Sequence, residues 1–221
     1  MSETPDIIAW TREGSIDALK KFLATNPDAA NSRTAEGISL LMLAVYHRNQ
    51  QLVDLIKSHK SALDIFEAVS TGEEKLVRRL TEANPSVVNL VSPDGFSPLG
   101  YACFFNQPAI ARYLVEQGAD VGAASNNNFK VTPLHSASAI SSYELVEYLL
   151  AHGADVHARQ ASGFTALHSA AFNGKPELVK LLLDAGANIR DKTDEGETAL
   201  MLAEKNNQSQ TAAYLRSRDA H

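Results

Sequence analysis

The sequence predicts an all-α solenoid in which helix pairs stack side by side, and three observations carry that expectation. The first is a repeated phrase. Val131-Thr132-Pro133-Leu134-His135-Ser136-Ala137 returns as Phe164-Thr165-Ala166-Leu167-His168-Ser169-Ala170. It returns again, progressively blurred, as Phe96-Ser97-Pro98-Leu99-Gly100-Tyr101-Ala102, Glu197-Thr198-Ala199-Leu200-Met201-Leu202-Ala203 and Ile38-Ser39-Leu40-Leu41-Met42-Leu43-Ala44. The second is its spacing: Ala102, Ala137, Ala170 and Ala203 are separated by 35, 33 and 33 residues, and a near-constant period of that size marks stacked supersecondary units. The third is the framing of each phrase. A turn pair precedes it (Glu36-Gly37, Asp94-Gly95, Ser162-Gly163, Glu195-Gly196), and a Gly-Ala-Asp or Gly-Ala-Asn exit follows an apolar stretch (Gly118-Ala119-Asp120, Gly153-Ala154-Asp155, Gly186-Ala187-Asn188).

These motifs resemble the ankyrin repeat family, whose signature is a period near 33 with a Thr-Pro-Leu-His-x-Ala core. The resemblance covers nearly the whole chain. It implies stacked ankyrin repeats, helix pairs joined by short β-hairpins into a right-turning superhelix. One domain over 1–221 is expected, with units near 1–33 (an amino-terminal cap), 34–60, 61–91 (without a preceding hairpin), 92–126, 127–159, 160–192 and 193–221 (a carboxy-terminal cap).

Each element has its local reason. A short helix begins after Pro5, which suits a first turn, and ends near Gly14; a second carries Ile16, Leu19, Phe22 and Leu23 at helical spacing and stops before Asn26-Pro27, because proline disfavours helical geometry in the residue before it. Trp10 takes the alanine slot of this unit, tolerable at an end of the stack. Ser39 caps the next helix, and Leu52, Val53, Leu55 and Ile56 line its return partner. Ala44 to Ala68 spans only 24 residues, which leaves no room for a hairpin, so residues 58–61 read as a short interhelical loop. Gly14/Gly72, Asn26/Asn84, Gly37/Gly95 and Ala44/Ala102 are each 58 apart. The amino-terminal half therefore reads as a duplicated pair of units with a seam at 58–64. Further on, Gly118, Gly153 and Gly186 supply left-handed helix ends. The stretch 123–128 lengthens one hairpin, and Lys130 replaces its turn glycine, which predicts a distorted or more mobile turn. The polar run 204–210 suits an end unit that meets water.

Composition excludes several function classes. Of 221 residues, 44% are hydrophobic and the net charge is −6, which argues against disorder and against a general phosphate-backbone binder; no nucleic acid and no membrane partner are expected. The start shows no secretory signal and no stretch approaches membrane-spanning length. The lone Cys103 allows no intrachain disulfide, so a cytoplasmic, reducing compartment is expected. No phosphate-cradling glycine loop, nucleophile elbow or His-Glu-x-x-His helix appears, so the chain reads as non-catalytic, with no cofactor and no metal.

His135 and His168 share one motif slot, and the resemblance implies a structural role for them, tying hairpin to helix. It also implies that a partner lies along the concave face, touching hairpin tips and the outward positions of the first helices. The residue after the turn glycine is then Ile38, Phe96, Val131, Phe164 or Glu197, and the outward helix pair is Tyr46/His47, Phe104/Phe105, Ala139/Ile140, Phe172/Asn173 or Lys205/Asn206. The candidate contact set is Ile38, Tyr46, His47, Phe96, Phe104, Phe105, Phe129, Val131, Ile140, Phe164 and Phe172. Five of the eight phenylalanines fall in these slots, although such positions are usually polar. An apolar stripe of this size suggests aromatic anchors for a protein or peptide; the bland alternative is that the rings pack on one another. The leading expectation is a protein-interaction module, monomeric when unbound. A client-specific chaperone, assembly factor or inhibitor of one protein is the alternative.

Overall fold

A computed structural model describes residues 6–219. Its helices come in antiparallel pairs along the chain: α1 (Ile7–Glu13) with α2 (Ile16–Leu23), α3 (Leu40–Tyr46) with α4 (Gln50–Ser58), α5 (Ile65–Ser70) with α6 (Glu74–Ala83) and α7 (Pro98–Phe104) with α8 (Pro108–Glu116). They continue as α9 (Pro133–Ala139) with α10 (Tyr143–Ala151), α11 (Ala166–Phe172) with α12 (Pro176–Asp184) and α13 (Ala199–Lys205) with α14 (Ser209–Asp219). Pro5 lies outside the described residues; α1 is instead capped by Asp6, whose carboxylate accepts the Ala9 N–H at 2.9 Å.

Local chemistry sets these limits. Ser39, Ser97, Thr132 and Thr198 accept the N–H three residues on, at 3.1–3.4 Å, satisfying one amide that a helix start leaves unpaired. Pro98, Pro108, Pro133 and Pro176 sit in first turns, where a missing amide proton costs nothing. Each inner helix reverses into its outer partner through one left-handed residue, as at Gly72 (φ 76) and Asn106 (φ 53).

The odd-numbered inner helices pack on one another through the motif residues. Leu99, Leu134, Leu167, Ala102, Ala137, Ala170 and Ala203 are all at most 1% exposed. At roughly 1.5–3 kcal/mol per fully buried leucine, such contacts offset chain entropy only when several neighbours share them. The core divides in two. One cluster runs from Ile7 to Ile56, the other from Met42 and Ile65 to Leu215, and Leu63 packs against both.

The connections between pairs correct the expected β-hairpins. Among the described residues there is no strand, only two isolated antiparallel bridges, Arg33–Ser39 and Lys192–Thr198. The short fingers are each closed by a backbone bond across four residues, Thr34 N–H to Ile38 O at 2.8 Å and Ser92 N–H to Phe96 O at 2.9 Å being examples. A finger that short has no room for a ladder. Lys130 takes the place of the turn glycine with φ 53, left-handed like Gly37, Gly95 and Gly196, but its finger departs from the others, closing across six residues without the bond that Gly37 N–H makes to Thr34 O. The long finger is held by Ser125 N–H to Val131 O at 2.8 Å and by Asn127, whose amide donates to Asp94 O at 2.7 Å.

Fingers bond to one another in series. Asn126 N–H reaches Gly95 O, Ala161 N–H reaches Phe129 O and Asp194 N–H reaches Ser162 O, at 2.7, 2.7 and 2.9 Å. At the seam, where α4 ends at Ser58 and α5 starts at Ile65, no finger intervenes, and the fingers on either side close the gap. A Cβ built on Gly37 would stand 3.1 Å from Pro93.

Candidate partner-binding face

The aromatic slots fall into two groups, one around Tyr101 and one around Phe164 and Phe172. The first surrounds Tyr101. Phe96 stands 5.6 Å from its ring, Phe105 stacks on it at 5.9 Å and 20°, and Phe66 meets it edge-on at 5.8 Å. Tyr46 lies 5.9 Å from Phe105, and Phe104 meets Phe105 edge-on at 5.0 Å. Ring pairs at such spacings each add about 0.5–1.5 kcal/mol beyond their burial, so this is a built platform. Tyr46, Phe96, Tyr101 and Phe104 line an apolar dimple of about 40 Å³.

Beneath the platform runs a polar chain. Asp94 accepts hydrogen bonds from Tyr46 and Tyr101, and from Ser92 at 2.5 Å. The Tyr46 and Tyr101 hydroxyl oxygens stand 3.0 Å apart over the same carboxylate. Desolvation pushes both tyrosine hydroxyls far above their ordinary pKa, aided at Tyr46 by the neighbouring Tyr101 and then Asp94, and at Tyr101 by Asp94, so both stay protonated. The contacts join α3 to the finger ahead of α7. They link across the seam where the missing finger would have stood.

The second group lies two units on. Phe164 packs 5.6 Å from the His168 ring and, with Phe172, borders a hollow of about 300 Å³ whose far wall carries Glu195, Glu197 and Lys205. Phe104 and Phe172 close α7 and α11 in equivalent slots, 40% and 47% exposed, and Phe129 on the long finger is 66% exposed. The sequence-derived set therefore separates. Phe104, Phe129, Phe172 and His47 are exposed; Ile38, Tyr46, Phe96, Phe105, Val131, Ile140 and Phe164 are half-buried. Tyr101, Phe66 and Asp94, which organise the platform, were not in that set. The signal for Tyr101 was present: it replaces the small or aliphatic residue at Leu43, Ser136, Ser169 and Leu202.

The histidines of the motif knit the stack. In α9, Thr132 N–H donates to His135 Nδ1 at 3.2 Å, and His135 Nε2–H points at Ala158 O and Phe164 O at 3.0 and 3.2 Å. In α11, His168 repeats this with Thr165 and Asp191 O, at 3.1 Å each. Burial lowers the pKa of both below the ordinary histidine value. Burial likewise raises that of the Cys103 thiol, which is fully enclosed. No group of three or more His, Cys, Asp or Glu able to hold a metal ion occurs among the described residues, and no described helix is long and apolar enough to cross a membrane.

Comparison with known proteins matches the family described as ankyrin repeats (3 copies) over residues 65–160 and 157–221. The rat ankyrin repeat and SAM domain-containing protein 6 is 38% identical over 103 residues, 47% of this chain and 12% of that protein. The Saccharomyces cerevisiae target of rapamycin complex 2 subunit AVO2 is 27% identical over 153 residues, 64% of this chain and 35% of that protein. Palmitoyltransferase Hip14 of Drosophila melanogaster is 35% identical over 103 residues, 47% of this chain and 16% of that protein. The chain spans only a small part of these relatives' length, and their names differ widely. With helix pairs, finger turns, motif histidines and a family match over more than half its length, the chain belongs to the ankyrin repeat family.

Proposed function

We propose that this chain is a non-catalytic protein-interaction module of seven repeat units that binds a protein or extended peptide along the face made by its fingers and inner helices. Ankyrin repeats generally mediate protein–protein interaction. The observation that carries the reading is the exposure of Phe104, Phe129 and Phe172, with Phe104 packed edge-on against the half-buried Phe105 ring. Anchors of this kind, set on a preorganised support, dominate interface energies because little side-chain freedom remains to be lost on binding. In this reading Phe104 and Phe172 are the two main anchors and Phe129 a third from the finger side. His47, Ile38, Val131 and Ile140 form the surround, and Tyr46, Phe96, Phe105 and Phe164 support the anchors. The reading places the chain in the cytoplasm, as a monomer when unbound.

A second reading, an assembly factor or inhibitor for one client, draws on the yeast relative, which is named as a subunit of a larger complex. The two differ in how many proteins the chain retains. The test is capture from host lysate by the parent and by a Phe104→Asp/Phe172→Asp variant with unchanged helical signal. Proteins held by the parent and lost by the variant support the proposal; an identical set of captured proteins refutes it. One dominant partner favours the second reading.

A further inference from the structure

Two hollows open beside the seam and share Lys57 in their linings. The first, of about 290 Å³, is lined by Arg48, Gln50, Ser70 and Gln107 among others. The second, of about 500 Å³, is lined by the apolar Leu63, Leu76 and Leu80 and by the charged Lys60, Glu73 and Arg79. Leu63 comes from the short loop that replaces the finger, so the seam itself forms part of this lining.

We propose that this seam groove is a second docking site, separate from the aromatic face, for an acidic protein segment that places aliphatic side chains over Leu63, Leu76 and Leu80. Charge is the first argument. The chain carries a net charge of −6, yet Arg48, Lys57, Lys60 and Arg79 converge here. Lys57 is paired with Glu73, and Lys60 with Glu67 at 3.1 Å. Arg48 and Arg79 have no carboxylate within ion-pair distance among the described residues. Arg79 contrasts with its neighbour Arg78, which is engaged by Glu74 and lies over the Tyr113 ring at 4.1 Å. Two uncompensated guanidiniums suit carboxylates of a partner, and planar forks bind them in pairs of hydrogen bonds.

The second argument is the apolar floor, which a purely ionic ligand would leave uncovered. An acidic amphipathic segment meets both requirements.

The test uses the full chain and a fluorescent peptide of repeating Glu-Glu-Leu-Leu, followed by anisotropy, with Lys-Lys-Leu-Leu and Glu-Glu-Ser-Ser peptides as controls. Saturable binding of the first peptide is expected, weakening with salt as exposed charges are screened. Arg48→Glu/Arg79→Glu should weaken it by about tenfold or more, the sum of two modest charge contributions; Phe104→Asp/Phe172→Asp should leave it unchanged. If charge reversal perturbs folding, Arg48→Gln/Arg79→Gln and a hydrogen-exchange footprint over 48–63 and 70–83 give the same reading. Absence of saturable binding overturns the proposal, as does equal affinity for the charge variant, loss in the phenylalanine variant alone, or a thymidine oligonucleotide binding more tightly than the peptide. The two surfaces are tested by different variants, so either proposal can fail without the other.

Discussion

Replacing Lys60 by methionine should destabilise the protein more than any other single change outside the main core. The Lys60 Nζ stands 3.1 Å from Glu67 Oε1, with the two side chains only 4% and 2% exposed. At an effective dielectric near 20, two unit charges at that distance attract by about 5 kcal/mol, which offsets much of the cost of taking both from water. Lys60→Met keeps the length of the side chain and removes the charge. The Glu67 carboxylate is then left buried, one oxygen accepting the Asp64 N–H at 3.1 Å and the other without its ion-pair partner. Breaking a buried pair in this way costs about 3–5 kcal/mol. Lys60→Met/Glu67→Gln removes both charges while an amide oxygen still caps α5, so it should cost about 1–2 kcal/mol, far less than the sum of its parts. The assay is urea unfolding followed by circular dichroism, read as midpoint shifts at constant slope. Because the core divides at this seam, hydrogen exchange should show α1–α4 opening before α5–α14 in the single variant. A Lys60→Met cost below about 1 kcal/mol, or additive costs in the cycle, would refute the reasoning.

Other outcomes follow from single contacts. Gly95→Ala should cost about 2 kcal/mol or more, because Gly95 sits at φ 94 and a Cβ would stand 2.8 Å from the Asn126 carbonyl; calorimetry reads it. Tyr46→Phe removes one donor to Asp94 and should cost about 1.5–3 kcal/mol, measured by urea unfolding, with larger exchange rates on both sides of the seam. Stability should fall as pH drops below the ordinary histidine pKa near 6.5. There the unfolded chain binds protons that buried His135 and His168 resist, the loss ending once their lowered folded pKa values are passed. A His135→Asn/His168→Asn variant should show a flatter profile; an unchanged slope between pH 7 and 5 would contradict this.

Much of the fold was written in local pattern. The period placed the helices, the proline and threonine caps placed their starts, and the short span from Ala44 to Ala68 located the seam. What the period could not convey was contact between units. The bond from Tyr46 to Asp94 spans 48 residues and crosses the seam, and no spacing rule announces it. The same limit applied to the aromatic slots. The motif position marks Phe104 and Phe105 as outward-facing, yet Phe105 turns onto Tyr101 and Tyr46, because Tyr101 fills a slot that elsewhere holds a smaller or aliphatic residue. A Phe105→Asp change would therefore break the platform as well as the surface, which is why Phe172 serves better beside Phe104. At Lys130, finger contacts on both sides hold a left-handed conformation that its own side chain disfavours, in a longer finger than the rest.

The most direct test of the central claim is a hydrogen-exchange footprint of the chain with and without a protein that it captures from host lysate. Protection concentrated at 94–105, 127–131 and 162–173, and lost with Phe104→Asp/Phe172→Asp, is the result predicted. Protection confined to the outer helices, with those segments exchanging as in the free chain, would contradict it.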